Sequence, residues 1–274
     1  MKKCLVIGGR GFIGSQIVND LESSGYDVDI PERGDVSFFQ TSYDAIVYAA
    51  GYGVCTKPID VIEANVNFFN EVLFKANYEH LIYISSTRLY MSTPNTNEEI
   101  DLHVPQNDER KLFNLSKLVS EEVARLSGKN VTVIRPSNVY GTALNSNLFL
   151  PMIIKNALTH NKIDMYVEPE YEKDYVSLDD VSRFVIKCVN DGFKYFNVYN
   201  VASGVNVSAK SIAEIIQQET NCQVNWHDGF VGEVFTPINI DKSKRNYSFK
   251  PKHLLDELPG IISGFKEALS KQAN

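Results

Sequence analysis

The chain has 274 residues, enough to bury a large core or a domain with a smaller lobe. Hydrophobic residues make up 43% and charged residues 22%, the balance of a folded globular protein. A net charge of -7 argues against nucleic acid as the main partner, and leaves room for a local basic pocket that grips one phosphate pair. No apolar run reaches the length of a membrane span. The N-terminal "MKKCLVIGG" has too short an apolar stretch for a signal peptide and reads as a buried strand. Cys4, Cys55, Cys188 and Cys222 form no CxxC pair and read as reduced thiols of a cytoplasmic protein. The five histidines show no ligand spacing, so no metal is expected.

In chain order, "KCLVIGG" is a continuous apolar strand entering glycines. "FIGSQIVNDLESSG" has helical spacing at Ile13, Ile17 and Leu21 and stops at Gly25. "YDVDI", "DAIVYAAG", "HLIYISS" and "NVTVIRPSNVYG" are four further strands. Two long helical segments, "PIDVIEANVNFFNEVLFKANYE" and "ERKLFNLSKLVSEEVARLSG", separate the last three. The second contains "KLFNLSKLVSEE", with Leu112, Leu115 and Val119 on one side. Apolar strands alternating with helices predict a doubly wound α/β fold, a Rossmann-like parallel sheet covered on both faces. After Gly141 the elements shorten and the loops become polar. The division is therefore a first domain over 1–141, which the glycine turn below makes the dinucleotide-binding one, and a smaller lobe over 142–274, interleaved with the first, left to bind substrate.

"GGRGFIG" places Gly8, Gly11 and Gly14 three apart, after a strand and before a helix. Such a turn must be tight, must let backbone approach a diphosphate and must pack the helix on the sheet. The helix start at Phe12 and Ile13 then offers amides and a positive dipole end to the phosphates. The second strand ends at "IPERGD". Glu32 there can accept from an adenosine ribose, which favours NAD. Arg33 beside it and Arg10 in the glycine turn can grip a 2′-phosphate, which favours NADP. Two guanidiniums against one carboxylate tilt the reading to NADP.

From about Lys3 to the final helix the chain resembles the extended short-chain dehydrogenase/reductase family of nucleotide-sugar epimerases, dehydratases and ketoreductases. The ordered set "GGRGFIG", "DAIVYAAG", "YISSTRLY", "RPSNVYG", "KDYVSLDDV", "YNVASG" and "DKSK…FKP" carries the resemblance. It implies that Ala49, Ala50 and Gly51 lie beside the nicotinamide ribose and that Lys117 holds the ribose hydroxyls. Ser86 is then the catalytic hydroxyl, with Thr87 and Arg88 next to the substrate. Pro136, Ser137 and Val139 line the nicotinamide, and Asn138 faces the sugar or its phosphates. Lys173 stands where many relatives have an arginine on the substrate diphosphate. Tyr140 is structural.

The chain departs from the family at three places. The link "PERGDVSFFQTSY" is short, which implies a shortened crossover helix with Asp35 and Val36 at the adenine. Thr87 and Arg88 replace the Asp–Glu pair that 4,6-dehydratases use to eliminate water. Phe113 stands where the family has its catalytic tyrosine, four residues before Lys117. The resemblance therefore implies a 4-ketoreductase whose activity is reduced by Phe113, a natural or an engineered replacement, with an epimerase and a non-catalytic binder of dinucleotide and nucleotide-sugar as the competing readings. The segments Asn65 to Ala76 and Phe113 to Leu126 can pair with their copies in a homodimer, as in many relatives.

Overall fold

The computed structural model describes residues 2–144, 146, 148–191, 195–230 and 234–273. The first half holds β1 (Lys3–Ile7), α1 (Phe12–Ser23), β2 (Asp27–Asp29), β3 (Ser42–Tyr48), α2 (Pro58–Ile62), α3 (Phe68–Lys75), β4 (Asn77–Ile84), α4 (Lys111–Leu126), β5 (Val131–Pro136) and β6 (Asn138–Tyr140). The second holds α5 (Phe149–His160), β7 (Lys162–Val167), β8 (Glu172–Ser177), α6 (Leu178–Asp191), β9 (Asn197–Val201), β10 (Asn206–Ser208), α7 (Ala209–Thr220), β11 (Gln223–Phe230), α8 (Asp241–Tyr247) and α9 (Leu254–Ala273). Six parallel strands form the main sheet in the order β2-β1-β3-β4-β5-β9. The predicted doubly wound architecture is what the chain adopts.

Period-two alternation explains why continuous apolar strands suit this sheet. In β1, Cys4 and Val6 pack on the face covered by α1 and α6, while Leu5 and Ile7 pack on the face covered by α3 and α4. Two elements from beyond Gly141 return to this layer. α6 contributes Val181, Phe184 and Val185 to the α1 face, and β9 pairs with β5. A separate cluster, including Tyr140, Ile154, Ile212 and Phe265, is the core beneath α5, α7 and α9. Around it lie a three-stranded sheet, β10-β8-β6, and a two-stranded sheet, β11-β7.

Three local expectations need correction. "NVTVIRPSNVYG" is two strands. Pro136 lacks a ladder donor, Ser137 turns out to donate its N–H to Val201 O at 3.1 Å, and β6 joins β8 in the other sheet. The helix over "PIDVIEANVNFFNEVLFKANYE" is interrupted by a π turn at Glu63–Asn67, and it stops at Lys75 so that Asn77 can open β4. "HLIYISS" leaves the sheet after Ile84, because Ser86 caps the 3₁₀ turn Thr87–Tyr90. The apolar side of α4 faces outward: Leu115 and Val119 are exposed while Asn114, Ser116, Lys117, Ser120 and Glu121 are buried. The link between β2 and β3 carries a single 3₁₀ turn, Ser37–Gln40, which is the shortened crossover.

Candidate active site

The register levels the strand ends. Ile7 pairs with Tyr48, and Tyr48 with Tyr83, so the chain leaves β1, β3 and β4 side by side. The strand order reverses between β1 and β3, the place where doubly wound sheets bind ligands. Gly8 turns there with φ +83, and a Cβ on it would lie 2.7 Å from Ala50 N. A Cβ on Gly14 would lie 2.1 Å from Gly8 O, so this glycine lets α1 pack onto the turn. Gly11 differs. Its backbone is extended, with φ -80 and ψ 173, and a Cβ would meet only Gly8 O, at 3.2 Å. Internal packing therefore demands Gly8 and Gly14 far more than Gly11. Gly11 caps α1 without a side-chain hydrogen bond, and no acidic residue stands in the first turn. The amides of Phe12 and Ile13 thus start a helix that presents its positive end without a carboxylate from its own first turn. This cradle fits the diphosphate of a dinucleotide.

At the end of β2, Arg10 donates to Pro31 O at 3.1 Å and lies 3.4 Å from the Glu32 carboxylate, both side chains being exposed. The arginine and the carboxylate that the sequence sets against each other as cofactor determinants therefore touch each other. Arg33 is exposed beside Gly34, whose φ of +87 makes the turn. Asp35 accepts from Ser37 N at 2.8 Å, which lowers its pKa, and Val36 is exposed. These residues sit at the sheet edge, three strands from β4 in the order β2-β1-β3-β4.

Lys117 lies under the loop that follows β3. Its ammonium donates to Ile84 O at 2.9 Å, rests 4.7 Å from the Tyr83 ring centre and would meet a Cβ on Gly51 at 3.1 Å. Burial lowers its pKa to about 8, against the pull of Glu121. One turn earlier Phe113 is buried, with the Lys117 ammonium 5.9 Å from its ring centre. Sequence spacing and structure agree that ring and amine share a face. Asn65, in the π turn, fixes the loop above them. It accepts from Tyr52 N and donates to Tyr52 O, each at 2.9 Å, and donates to Ser116 Oγ at 2.9 Å.

Ser86 Oγ accepts from Arg88 N at 3.1 Å. Arg88 reaches back to Asp108 at 2.7 Å, a pair whose carboxylate side chain is only 1% exposed. Asp108 also accepts from Arg110 N at 2.8 Å and Asn114 Nδ2 at 2.7 Å, so one carboxylate ties the Ser86 turn to the start of α4. A second buried carboxylate, Glu121, takes the Arg135 guanidinium through Nε at 3.1 Å and Nη2 at 2.5 Å, and Ser85 Oγ at 2.5 Å. Arg135 also donates to Tyr90 OH, which donates to Asn200. The arginine before Pro136 thus clamps β5 to α4.

Ser86, Thr87, Arg88, Ser137, Asn138 and Lys173 line one cleft, together with Arg110 and Phe235. Asn138 donates to Asp174 O at 2.7 Å, and the Lys173 ammonium lies 4.9 Å from the Tyr171 ring centre and 5.4 Å from that of Phe235. Val139 packs at the edge of the α1-face core, Pro136 closes β5, and Tyr140 is buried in the smaller core. Sequence reasoning missed Asn65, Asp108, Arg110, Glu121 and Phe235. Asn65 has a signal in retrospect: a poor helix former inside a helical run, fully buried. Glu121 and Phe235 meet partners distant in sequence, and Asp108 and Arg110 lie in a polar loop without period.

A family model described as NAD dependent epimerase/dehydratase family matches residues 4–202. CDP-abequose synthase of Salmonella muenchen is 23% identical, covering 98% of this chain and 97% of that protein. A dTDP-4-dehydro-6-deoxy-D-allose reductase of a Streptomyces species is 24% identical, covering 77% of this chain and 79% of that protein. The solved structure of MoeE5 in complex with UDP-glucose and NAD superposes with a TM-score of 0.85 at 18% identity, covering 97% of this chain and 99% of that one. The match spans the glycine turn, Ser86, Phe113, Lys117 and β9, and it covers well over half of the sequence. This chain belongs to the NAD dependent epimerase/dehydratase family.

Proposed function

We propose that the protein is a nicotinamide-dependent oxidoreductase that reduces a 4-keto nucleotide-sugar. The observation that carries this reading is the line from Gly51 to Lys117 to Phe113 to the cleft of Ser86 and Asn138. A dinucleotide held by the glycine turn would meet the polar cleft along this line. The bound dinucleotide would supply or accept a hydride. Gly8, Gly11 and Gly14 with the start of α1 would hold its diphosphate, and Lys117 and Ala49–Gly51 its nicotinamide ribose. Arg10 and Arg33 at the adenosine end support NADP(H), with NAD(H) the second ligand of the same site.

The chain's own groups then have defined tasks. Ser86 offers a hydroxyl to the sugar oxygen at C4, with Thr87 and Arg88 beside it. Asn138 orients the sugar. Lys173, held over two aromatic rings, neutralises phosphate charge from a point, without the fork of an arginine. Phe113 supplies a wall and no proton. Reduction is favoured over elimination because Thr87 and Arg88 offer no acid–base carboxylate pair. The reductase name of the Streptomyces relative supports the same direction.

Leu115 and Val119 on α4, with Phe74 on α3, are exposed apolar side chains in the segments that support a homodimer. Free Cys4, Cys188 and Cys222, all buried, support a reducing, cytoplasmic setting. Among the described residues, no helix is long and apolar enough to cross a membrane.

The test is stoichiometric. Incubation with NADPH and a 4-keto nucleotide-sugar is expected to give one NADP⁺ per 4-hydroxy product. Isomerised sugar without net oxidation would establish an epimerase, and binding without either product a non-catalytic protein.

A further inference from the structure

The residue capping α4, Arg110, stands where it can offset the missing phenol. Arg110 Cζ lies 4.6 Å from the Phe113 ring centre. A Cβ placed on Gly53 would come 3.0 Å from Arg110 Nη2 and 3.7 Å from Phe113 Cδ2. The guanidinium therefore stands beside the ring, next to the loop that follows Gly51, and it lines the same cleft as Ser86 and Asn138. Its backbone is not free to drift. Arg110 N donates to Asp108 Oδ1, the carboxylate that also grips Arg88 and Asn114. The side chain is exposed at the mouth of the cleft, while its anchor is buried.

We propose that Arg110 is the group that stabilises the oxyanion formed when the sugar carbonyl is reduced, the electrostatic half of what a phenol at position 113 would do. This rests on the reductase reading above. The balance is simple. A bound NADPH would supply the hydride for a new C–H bond at the carbonyl carbon; the C=O π pair would then sit on oxygen, and that alkoxide would take its proton from water. Arg110 gives up no proton, because a guanidinium stays charged at working pH. It donates N–H hydrogen bonds to the charge as it develops, and such a donor is typically worth about 10²- to 10³-fold in rate. Phe113 has a part in this. Its ring face carries the guanidinium by cation–π attraction, with a geometry set by the cap. The absence of any side chain at Gly53 leaves the guanidinium its place.

The experiment is single-turnover oxidation of NADPH by the full chain at saturating 4-keto nucleotide-sugar, in four proteins: unaltered, Arg110→Ala, Phe113→Tyr and the double variant. Arg110→Ala is expected to slow the unaltered chain by about 10²-fold and the Phe113→Tyr chain by less than about 10-fold, since a phenol supplies its own donor. Added guanidinium ion is expected to restore part of the Arg110→Ala rate. Calorimetric affinity for a nucleoside diphosphate sugar is expected to be unchanged, because the charge exists only during reaction. Equal losses in both backgrounds without rescue would make Arg110 a structural cap and overturn the proposal. So would a loss confined to sugar affinity. Normal binding with no NADPH oxidation in either background would instead refute the reductase reading, and this assignment with it.

Discussion

Replacing Lys117 by Met removes a charge that the fold holds at a cost. The ammonium is 3% exposed and lies against the Tyr83 ring, 2.9 Å from Ile84 O. Burial lowers its pKa from 10.5 to about 8, with Glu121 opposing. At about 1.4 kcal/mol per pH unit, that drop sets the protonated form at a disadvantage of about 3 kcal/mol in the fold. Met fills a similar volume without charge but loses the hydrogen bond to Ile84 O, worth about 1 kcal/mol. The variant is therefore expected to be more stable near neutral pH by about 2 kcal/mol, while dinucleotide affinity falls. The pH dependence carries a sign of its own. Between about pH 8 and 10.5 the unfolded chain keeps a proton that the folded chain has released, so stability rises with pH across that window. In Lys117→Met this rise disappears. Urea unfolding of both proteins near neutrality and at about pH 9.5 reads both effects. Comparing the pair cancels the buried cysteines and tyrosines that also titrate there. A variant destabilised by more than about 1 kcal/mol near neutrality, with an unchanged pH slope, would refute the burial argument.

Gly11 and Gly14 separate ligand approach from folding: Gly11→Val is expected to abolish dinucleotide binding in calorimetry with little loss of stability, whereas Gly14→Ala, which places a Cβ 2.1 Å from Gly8 O, is expected to lower the urea midpoint sharply. Unchanged affinity in Gly11→Val would remove the assignment of this turn. Substituting Arg10 and Arg33 together by Ala is expected to lower the NADP-to-NAD affinity ratio; a constant ratio would mean that neither arginine reads the 2′-phosphate, and an NAD preference in the unaltered chain would give the choice to Glu32. Val119→Asp is expected to convert a dimer to a monomer in sedimentation, and a monomeric unaltered chain would dismiss that interface.

Where local pattern and tertiary demand coincide, the architecture is legible in the sequence. The strand over "KCLVI" is apolar at every position after Lys3 because both of its faces are covered, and the glycine turn follows from strand, glycines and helix in succession. The misread elements are those where long-range pairing decides. β6 belongs to the smaller sheet because β8 takes it, which no local property of "SNVYG" announces. The buried face of α4 is polar because it meets Asn65, Ile84, Arg135 and Ser85, partners that helical periodicity alone does not reveal. Phe113 and Lys117 can be paired from spacing alone, since one helical turn brings them together. Asp108 and Arg110 cannot, because "PQNDER" is a polar loop without period. Its role emerges only when Arg88, from another segment, folds onto it.

The central claim is that this cleft transfers hydride to a 4-keto nucleotide-sugar with its phenol missing. Single-turnover hydride transfer, followed by nicotinamide absorbance on the unaltered chain and on Phe113→Tyr with the same sugar, tests it most directly. The account predicts slow but complete oxidation of NADPH by the unaltered chain and an acceleration of at least about 10²-fold in Phe113→Tyr. Equal rates in the two proteins, or no oxidation in either, would contradict it.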